Sequence, residues 1–344
     1  TWVLVDSRSG QVLVGRRADD AVEPASITKL MTQYAVFHAL KEGKLKLDQL
    51  VPISEHAWRS EGSRTFLDLN SRVPVEVLIQ GMIVQSGNDA TIALAEAVAG
   101  TEDTFAALMN QYAERLGMKR SHFENSTGLP AAGHRMSAGD IAKLARAIIR
   151  EFPEYYHWYS QREFTWNNIR QENRNGLLDR DPSVDGMKTG MTESAGYCLV
   201  ASAKRNGMRL IAVVTGTNGM KAREDASLAL LNYGFNFYET RVLRQAGTEL
   251  ARARVYKASG GEAAVGLASD LAITMPRGQA DKVEYAIELA PKVFAPLTKA
   301  DRVGTLRATI GGKVVAEAPL QPIADVPTGN VFRRIWDTIL SWFA

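Results

Sequence analysis

Helical and strand periodicities alternate along this chain up to about Thr240, and after about Arg241 the helical periodicity stops. A stretch that mixes both periods packs helices against a sheet, whereas a stretch with only the two-residue period buries itself as sheet on sheet. Two domains are therefore expected, residues 1–240 and 241–328, with a distinct C-terminal segment at 329–344. The 344 residues agree, at roughly 150 per domain, with one large domain as the lesser alternative.

Within the first part, Trp2–Asp6 and Gln11–Gly15 flank Ser7-Arg8-Ser9-Gly10 and read as a hairpin. Thr101 can cap a helix with the apolar face Phe105, Leu108, Met109, Tyr112 and Leu116, closed by Gly117. Ser137 with Asp140 resembles a capping box before Ile141, Leu144, Ala145, Ile148 and Ile149. Tyr197–Ala203 and Leu210–Thr215 read as neighbouring strands joined at Asn206-Gly207. In the second part, Arg252–Lys257, Leu271–Met275, Val283–Leu289, Thr305–Ile310 and Lys313–Ala318 read as the strands of a small β-sandwich. Pro322–Thr328 reads as a linker.

Composition excludes several classes. With 45% hydrophobic and 23% charged residues the chain is neither collagen-like, nor disordered, nor a bundle of membrane spans. Its net charge is +3 with no block of five like charges, so no nucleic-acid arm is expected. A single cysteine, Cys198, permits no intrachain disulfide and no Cys-based zinc site, and reads as a small buried apolar residue. Five histidines lack H-x-x-x-H spacing, so no metal is expected, and His134 reads as structural. The chain opens at Thr1 on strand-like Trp2–Val5 without an initiator Met, so a leader is expected to have been removed.

The tail from Val331 to Ala344 separates cleanly when wound at about 100° per residue. Arg333, Arg334, Asp337, Thr338 and Ser341 share one arc; Phe332, Ile335, Trp336, Ile339, Leu340, Trp342 and Phe343 share the other. A helix too short to span, aromatic on one side and carrying Arg on the other, suits a membrane interface. Docking on its own domain is the competing reading.

Three short segments carry reactive groups. Pro24 marks a helix entry, so Ser26 and Lys29 lie at i and i+3 of its first turn. A hydroxyl and an amine so placed form a nucleophile–base pair, provided that burial and a neighbouring cation keep the amine neutral. Ser86-Gly87-Asn88 lies between the helical runs Val75–Val84 and Asp89–Ala97, where a tight turn projects a hydroxyl and an amide. Lys188-Thr189-Gly190 lies on a strand, with Lys188 and Gly190 on one face and Thr189 on the other unless the strand twists. Gly190 leaves room there for a substrate backbone. Each segment alone is weak.

In this order, S-x-x-K, S-x-N and K-T-G resemble the motif set of penicillin-binding proteins and class A β-lactamases. The texts Glu23–Thr32, Gln85–Ala90, Asn173–Leu178 and Val184–Gly190 resemble D-alanyl-D-alanine carboxypeptidases of the penicillin-binding protein 5 type, and the likeness extends over the β-rich part and the tail. The resemblance implies an α+β fold, an antiparallel sheet flanked by helices, followed by a small all-β domain and an amphipathic helix. It implies removal of the terminal D-alanine from peptidoglycan stem pentapeptides through an acyl-enzyme, acylation by β-lactams, and no cofactor. Ser26 would attack, Lys29 would take its proton, and Ser86 would pass a proton to the leaving amine. Asn88 would bind the substrate amide and hold Lys29, while Lys188 and Thr189 would receive the carboxylate. Backbone N–H groups of Ser26 and Met191 would form the oxyanion hole. Arg223, taken to lie on the next strand, and Arg174 join Gly190 as substrate-binding candidates. Met191 stands where relatives often have His; the contact is a backbone one, so acylation is expected to survive. The tail would hold the enzyme on the periplasmic face of the inner membrane.

A β-lactamase would use the same acylation with a glutamate to activate water. Glu163 and Asn167 have that spacing, but Phe164 and Trp166 alternate with polar neighbours and read as strand. A strict transpeptidase and a binding protein without turnover are the remaining alternatives; the latter usually lacks a motif residue, and none is missing here.

Overall fold

The computed structural model describes residues 1–341, so Trp342 and Phe343 of the tail lie outside the described residues. Two compact units divide between Asn236 and Phe237.

The first unit is built on a five-stranded antiparallel sheet. Its strands are β1 (Trp2–Asp6), β2 (Val12–Arg16), β3 (Val184–Thr192), β4 (Gly196–Arg205) and β5 (Met208–Thr217), in the order β2-β1-β5-β4-β3. Helices cover it, and Val3, Leu4, Leu199, Val200, Ile211 and Val213 are buried, as continuous apolar runs require. The β4–β5 turn uses Asn206 and Gly207, both at positive φ (48° and 81°), the pair a tight primed turn demands. Its register sets Val200 opposite Val213, and the β3–β4 register sets Lys188 opposite Val200 and Thr189 opposite Leu199.

Six helices matter to the site: α1 (Lys29–Lys41), α2 (Val75–Gln80), α3 (Asn88–Ala99), α4 (Glu102–Arg115), α5 (Ala138–Glu151) and α6 (Met220–Phe237). α1 is buried along its whole length except at His38 and Lys41, so it is the central helix. The hydroxyls of Thr101 and Ser137 accept from Thr104 N–H (3.2 Å) and Asp140 N–H (3.2 Å), capping α4 and α5.

The second unit contains a six-stranded sheet and a two-stranded one. The pair is β6 (Tyr238–Arg244) with β9 (Leu271–Pro276); β7 (Ala251–Tyr256), β8 (Glu262–Gly266), β10 (Val283–Leu289), β11 (Gly304–Ile310) and β12 (Lys313–Pro322) form the larger sheet with Val293–Phe294. β6 and β8 are absent from the sequence reading: charged residues interrupt the alternation of β6, and β8 is a short run of mostly small residues without alternation.

One expectation changes. Pro322–Thr328 is no free linker: Ile323 N–H donates to Ala264 O (3.0 Å), Val326 and Leu297 exchange backbone bonds, and Gly329 N–H donates to Lys257 O (2.7 Å). The helix α7 (Val331–Leu340) docks by its polar arc. Asp337, 3% exposed, accepts from Lys257 N–H at 2.6 Å and from Arg333 at 3.2 Å, and Ser341 is buried. Phe332 (85% exposed), Ile335 and Trp336 face outward. A buried carboxylate needs the donor it finds on Lys257, and that need decides which face docks.

Candidate active site

Ser26 lies in a tight turn, Ala25–Thr28, that runs directly into α1. Ala25 is at φ +49°, in the left-handed region. The Lys29 amine is fully buried and lies 2.8 Å from Ser26 Oγ and 2.9 Å from the Thr127 carbonyl oxygen, to which it donates. Burial holds its pKa down from 10.5 to about 7, against the pull of Asp89 and Glu102. At neutral pH a large fraction of this amine is free to accept the Ser26 proton.

Ser86 follows a widened helical turn, Gly81–Gln85, and is held at φ +66°. Gly87 after it packs so closely on Thr65 that an added Cβ would collide with the Thr65 hydroxyl. Lys188 on β3 donates to Ser86 Oγ at 2.8 Å and to Thr189 O at 2.9 Å. Its pKa lies well below the usual lysine range, through burial first and then repulsion from Lys29, Arg223 and Arg174. Thr189, Gly190 and Met191 all line the cleft, while Lys188 is buried beneath them.

The cleft has a volume of about 780 Å³, and Ser26, Ser86, Thr189, Arg174 and Arg223 are in its wall. A smaller cavity of about 280 Å³ reaches Ser26 from the side of Asn88 and Thr127. Asn88 begins α3; its amide nitrogen donates to Glu61 O (2.5 Å), and its buried Oδ1 has no protein partner. The expected Asn88–Lys29 bond is therefore not made; the Lys29 amine meets Ser26 Oγ and the Thr127 carbonyl. An unpartnered amide oxygen at the cavity wall is an acceptor ready for a ligand N–H.

Arg223 is in the first turns of α6 and not on a strand. Buried residues Arg223, Ser227 and Leu231 recur every four positions, a helical spacing that the short break at Asn218-Gly219 hides. Its guanidinium donates to Gly190 O and Arg174 O, both at 3.3 Å, and its buried Nε has no protein partner. The Arg174 side chain reaches Gln85 Oε1 at 3.3 Å. Gly190 serves a closer neighbour than expected: a Cβ there would lie 3.0 Å from Pro24 O and 3.1 Å from the Ile27 side chain, so its bareness lets β3 seat against the Ser26 turn.

Sequence reading overlooked Asn125–Gly128. Asn125 Oδ1 accepts from Thr127 N–H and Gly128 N–H (3.2 and 2.7 Å), folding a turn that brings the Thr127 carbonyl to Lys29. Asn-x-x-Gly is a turn signal, but without a charged group it carries no hint of chemistry. Buried His134 accepts from Glu124 N–H at Nδ1 (3.1 Å) and contacts the Thr28 hydroxyl at Nε2 (2.8 Å); burial lowers its pKa to about 4. Glu163 belongs to the hairpin strand Glu163–Trp166, exposed and paired with Arg170, and is not part of the wall around Ser26. Cys198 is buried in β4. Among the described residues no cluster of metal ligands occurs, and no helix is long and apolar enough to cross a membrane.

A family model described as D-alanyl-D-alanine carboxypeptidase matches residues 1–219, and one described as the C-terminal domain of penicillin-binding protein 5 matches residues 238–328. The chain is 42% identical to the D-alanyl-D-alanine carboxypeptidase DacA of Escherichia coli, over 100% of this chain and 87% of that one. It superposes on penicillin-binding protein 5 of Haemophilus influenzae with a TM-score of 0.89 at 43% identity, covering 95% and 96% of the two chains. A penicillin-binding protein of Listeria monocytogenes in its ampicillin-bound form matches with a TM-score of 0.63 at 28% identity, over 68% of this chain and 96% of that one.

Proposed function

The chain belongs to the D-alanyl-D-alanine carboxypeptidase family of serine hydrolases, and from that premise we propose how its residues remove a terminal D-alanine from a peptidoglycan stem pentapeptide. Ser26 Oγ attacks the carbonyl carbon between the two D-alanines, and its proton passes to neutral Lys29 Nζ. The oxyanion that forms takes hydrogen bonds from the backbone N–H groups of Ser26 and Met191; one such donor is typically worth about 3 kcal/mol of barrier. The C–N bond then breaks as the proton held on Lys29 is passed on through the Ser86 hydroxyl to the leaving amine, which leaves an ester on Ser26 and a neutral Lys29 for the next step. Water attacks that ester, Lys29 takes the water's proton, and Ser26 regains its own.

Thr189 receives the substrate carboxylate, with the positive field of Arg223 and Arg174 behind it and Lys188 bonded to Ser86 beneath. The orphaned Oδ1 of Asn88 accepts a substrate amide N–H. A β-lactam acylates Ser26 by the same attack on its strained amide. The observation that carries this reading is the buried Lys29 amine at 2.8 Å from Ser26 Oγ with its pKa near 7. The first unit, to Asn236, forms the catalytic domain, the second carries a β-sandwich that serves as a spacer, and 329–344 form an anchor.

The test is intact mass against time with benzylpenicillin. One drug equivalent should add, persist, and be absent in Ser26→Ala. Rapid drug loss without an adduct would make the protein a β-lactamase, and no reaction at all would leave only a binding role.

For location, we place the protein peripherally on the periplasmic face of the inner membrane; the outward arc of Phe332, Ile335 and Trp336 supports the peripheral attachment. Co-sedimentation with vesicles of mixed zwitterionic and anionic lipid should be lost when Ile335 and Trp336 are both changed to Glu. Undiminished binding would refute the anchor.

A further inference from the structure

Lys29 donates to the Thr127 carbonyl, and the residue before it, Ser126, is held by a carboxylate on another helix. Glu102 opens α4, and its side chain is 15% exposed. Glu102 Oε1 accepts both Ser126 N–H (2.9 Å) and the Ser126 hydroxyl (2.5 Å). Ser126 O accepts from the Thr32 hydroxyl on α1 at 2.6 Å. The next carbonyl, Thr127 O, accepts from Lys29 at 2.9 Å. Beyond it, Gly128 sits at φ +86° so close to the Ser26 turn that a Cβ would collide with the Ala25 carbonyl oxygen. The segment is thus clamped at Gly128 on the nucleophile's side and at Ser126 on the far side, where Glu102 is the clamp.

A neutral amine has two N–H groups and one lone pair. To take the Ser26 proton the lone pair must face Oγ, so the N–H groups need acceptors elsewhere. Thr127 O supplies one. We propose that Glu102 is a positioning residue for Lys29, fixing through Ser126 the carbonyl that aims the amine's lone pair at Ser26.

The charged groups facing Lys29 are Asp89 from α3, Glu102 from α4 and, from β3, Lys188. The remaining oxygen of Glu102 meets exposed His56, whose Nε2 lies 2.9 Å away. Removing the Glu102 charge takes away an anion that favours protonated Lys29, so the pH midpoint of acylation should move down. Removing the hydrogen bonds instead frees the 125–128 segment and lowers the rate. The two effects separate by variant.

This inference rests on Ser26–Lys29 acylation. If the unmodified protein is not acylated by benzylpenicillin, that reading fails; if it is, the variants judge Glu102 alone. The experiment is saturation kinetics of acylation from pH 5.5 to 9, which separates initial drug binding from the acylation rate constant. Glu102→Ala should lower the rate constant about tenfold or more, since a general base is worth at least that when aligned, with initial binding unchanged. Glu102→Gln keeps an acceptor for Ser126 and should recover to within about threefold at high pH, with a lowered midpoint. Ser126→Ala, which keeps the backbone bond, should fall between them and serves if Glu102→Ala does not fold. Glu102→Ala, or Ser126→Ala in its place, acylating at the unmodified rate would overturn the proposal, and so would a Gln variant as slow as the Ala variant.

Discussion

Replacing Lys29 with methionine tests whether burial is what keeps this amine available as a base. The unfolded chain holds Lys29 at its ordinary pKa of 10.5, while the native state releases that proton near pH 7. Between those values the unfolded chain carries the extra proton, so native stability rises with pH throughout the window; below about pH 7 both states are protonated and the whole penalty applies. Linkage with these two values gives a gain of about 3 kcal/mol between pH 7.5 and pH 10. Lys29→Met has no such proton, and other groups are common to both proteins and cancel to first order. For a unit of this size that corresponds to roughly 6–12 °C in Tm. Calorimetry of both proteins at the two pH values should show the unmodified enzyme gaining that much on the variant, which is itself unable to acylate. A constant gap would mean that Lys29 stays ionised in the native state, and the argument for a neutral base would collapse.

Acid should expose His134: its native pKa of about 4 lies below the unfolded 6.5, so on acidification the unfolded chain binds the proton first. About 2 kcal/mol should be lost from pH 6.5 to 4.5 relative to His134→Gln in urea titrations, and parallel losses would refute it. Gly128→Ala forces a Cβ into the Ala25 carbonyl at φ +86° and should slow acylation about 100-fold while the unit still unfolds cooperatively; an unmodified rate would show that the segment yields. Arg223→Gln removes a charge beside Thr189 and should raise KM for a D-Ala-D-Ala peptide about tenfold or more, with kcat changed less; an unaltered KM would exclude Arg223 from carboxylate binding.

The site was legible where spacing alone dictates geometry. Ser26 and Lys29 meet because i and i+3 share a helical turn, and the order of the three motifs carried the rest by resemblance. The fold was legible where periodicity runs unbroken, as in β4, β5 and α5. Long-range partners were not. Arg223 was assigned to a strand because the break before α6 is only two residues long. The Thr127 carbonyl left no trace, since any residue type supplies a carbonyl. The tail's two arcs were visible on the sequence, but which one docks depends on a Lys257 N–H that lies 80 residues away from Asp337. Pro322–Thr328 looked like a linker because prolines signal a break, although their neighbours complete the bonding of strands already in place.

The left-handed backbone at Ala25 and Ser86 has a consequence for how this enzyme can be improved. Both residues flank or carry a reactive hydroxyl, and both hold a conformation that costs a residue with a side chain about 1–2 kcal/mol and glycine almost nothing. Ser86→Gly would relax the turn and delete the hydroxyl in one step, but it would also take an acceptor from the buried Lys188 amine, a loss of about 1–3 kcal/mol that offsets the relief. The strain at Ser86 is therefore tied to the bond that the same hydroxyl makes, and breeding a durable enzyme from this protein requires turnover to be scored in every round.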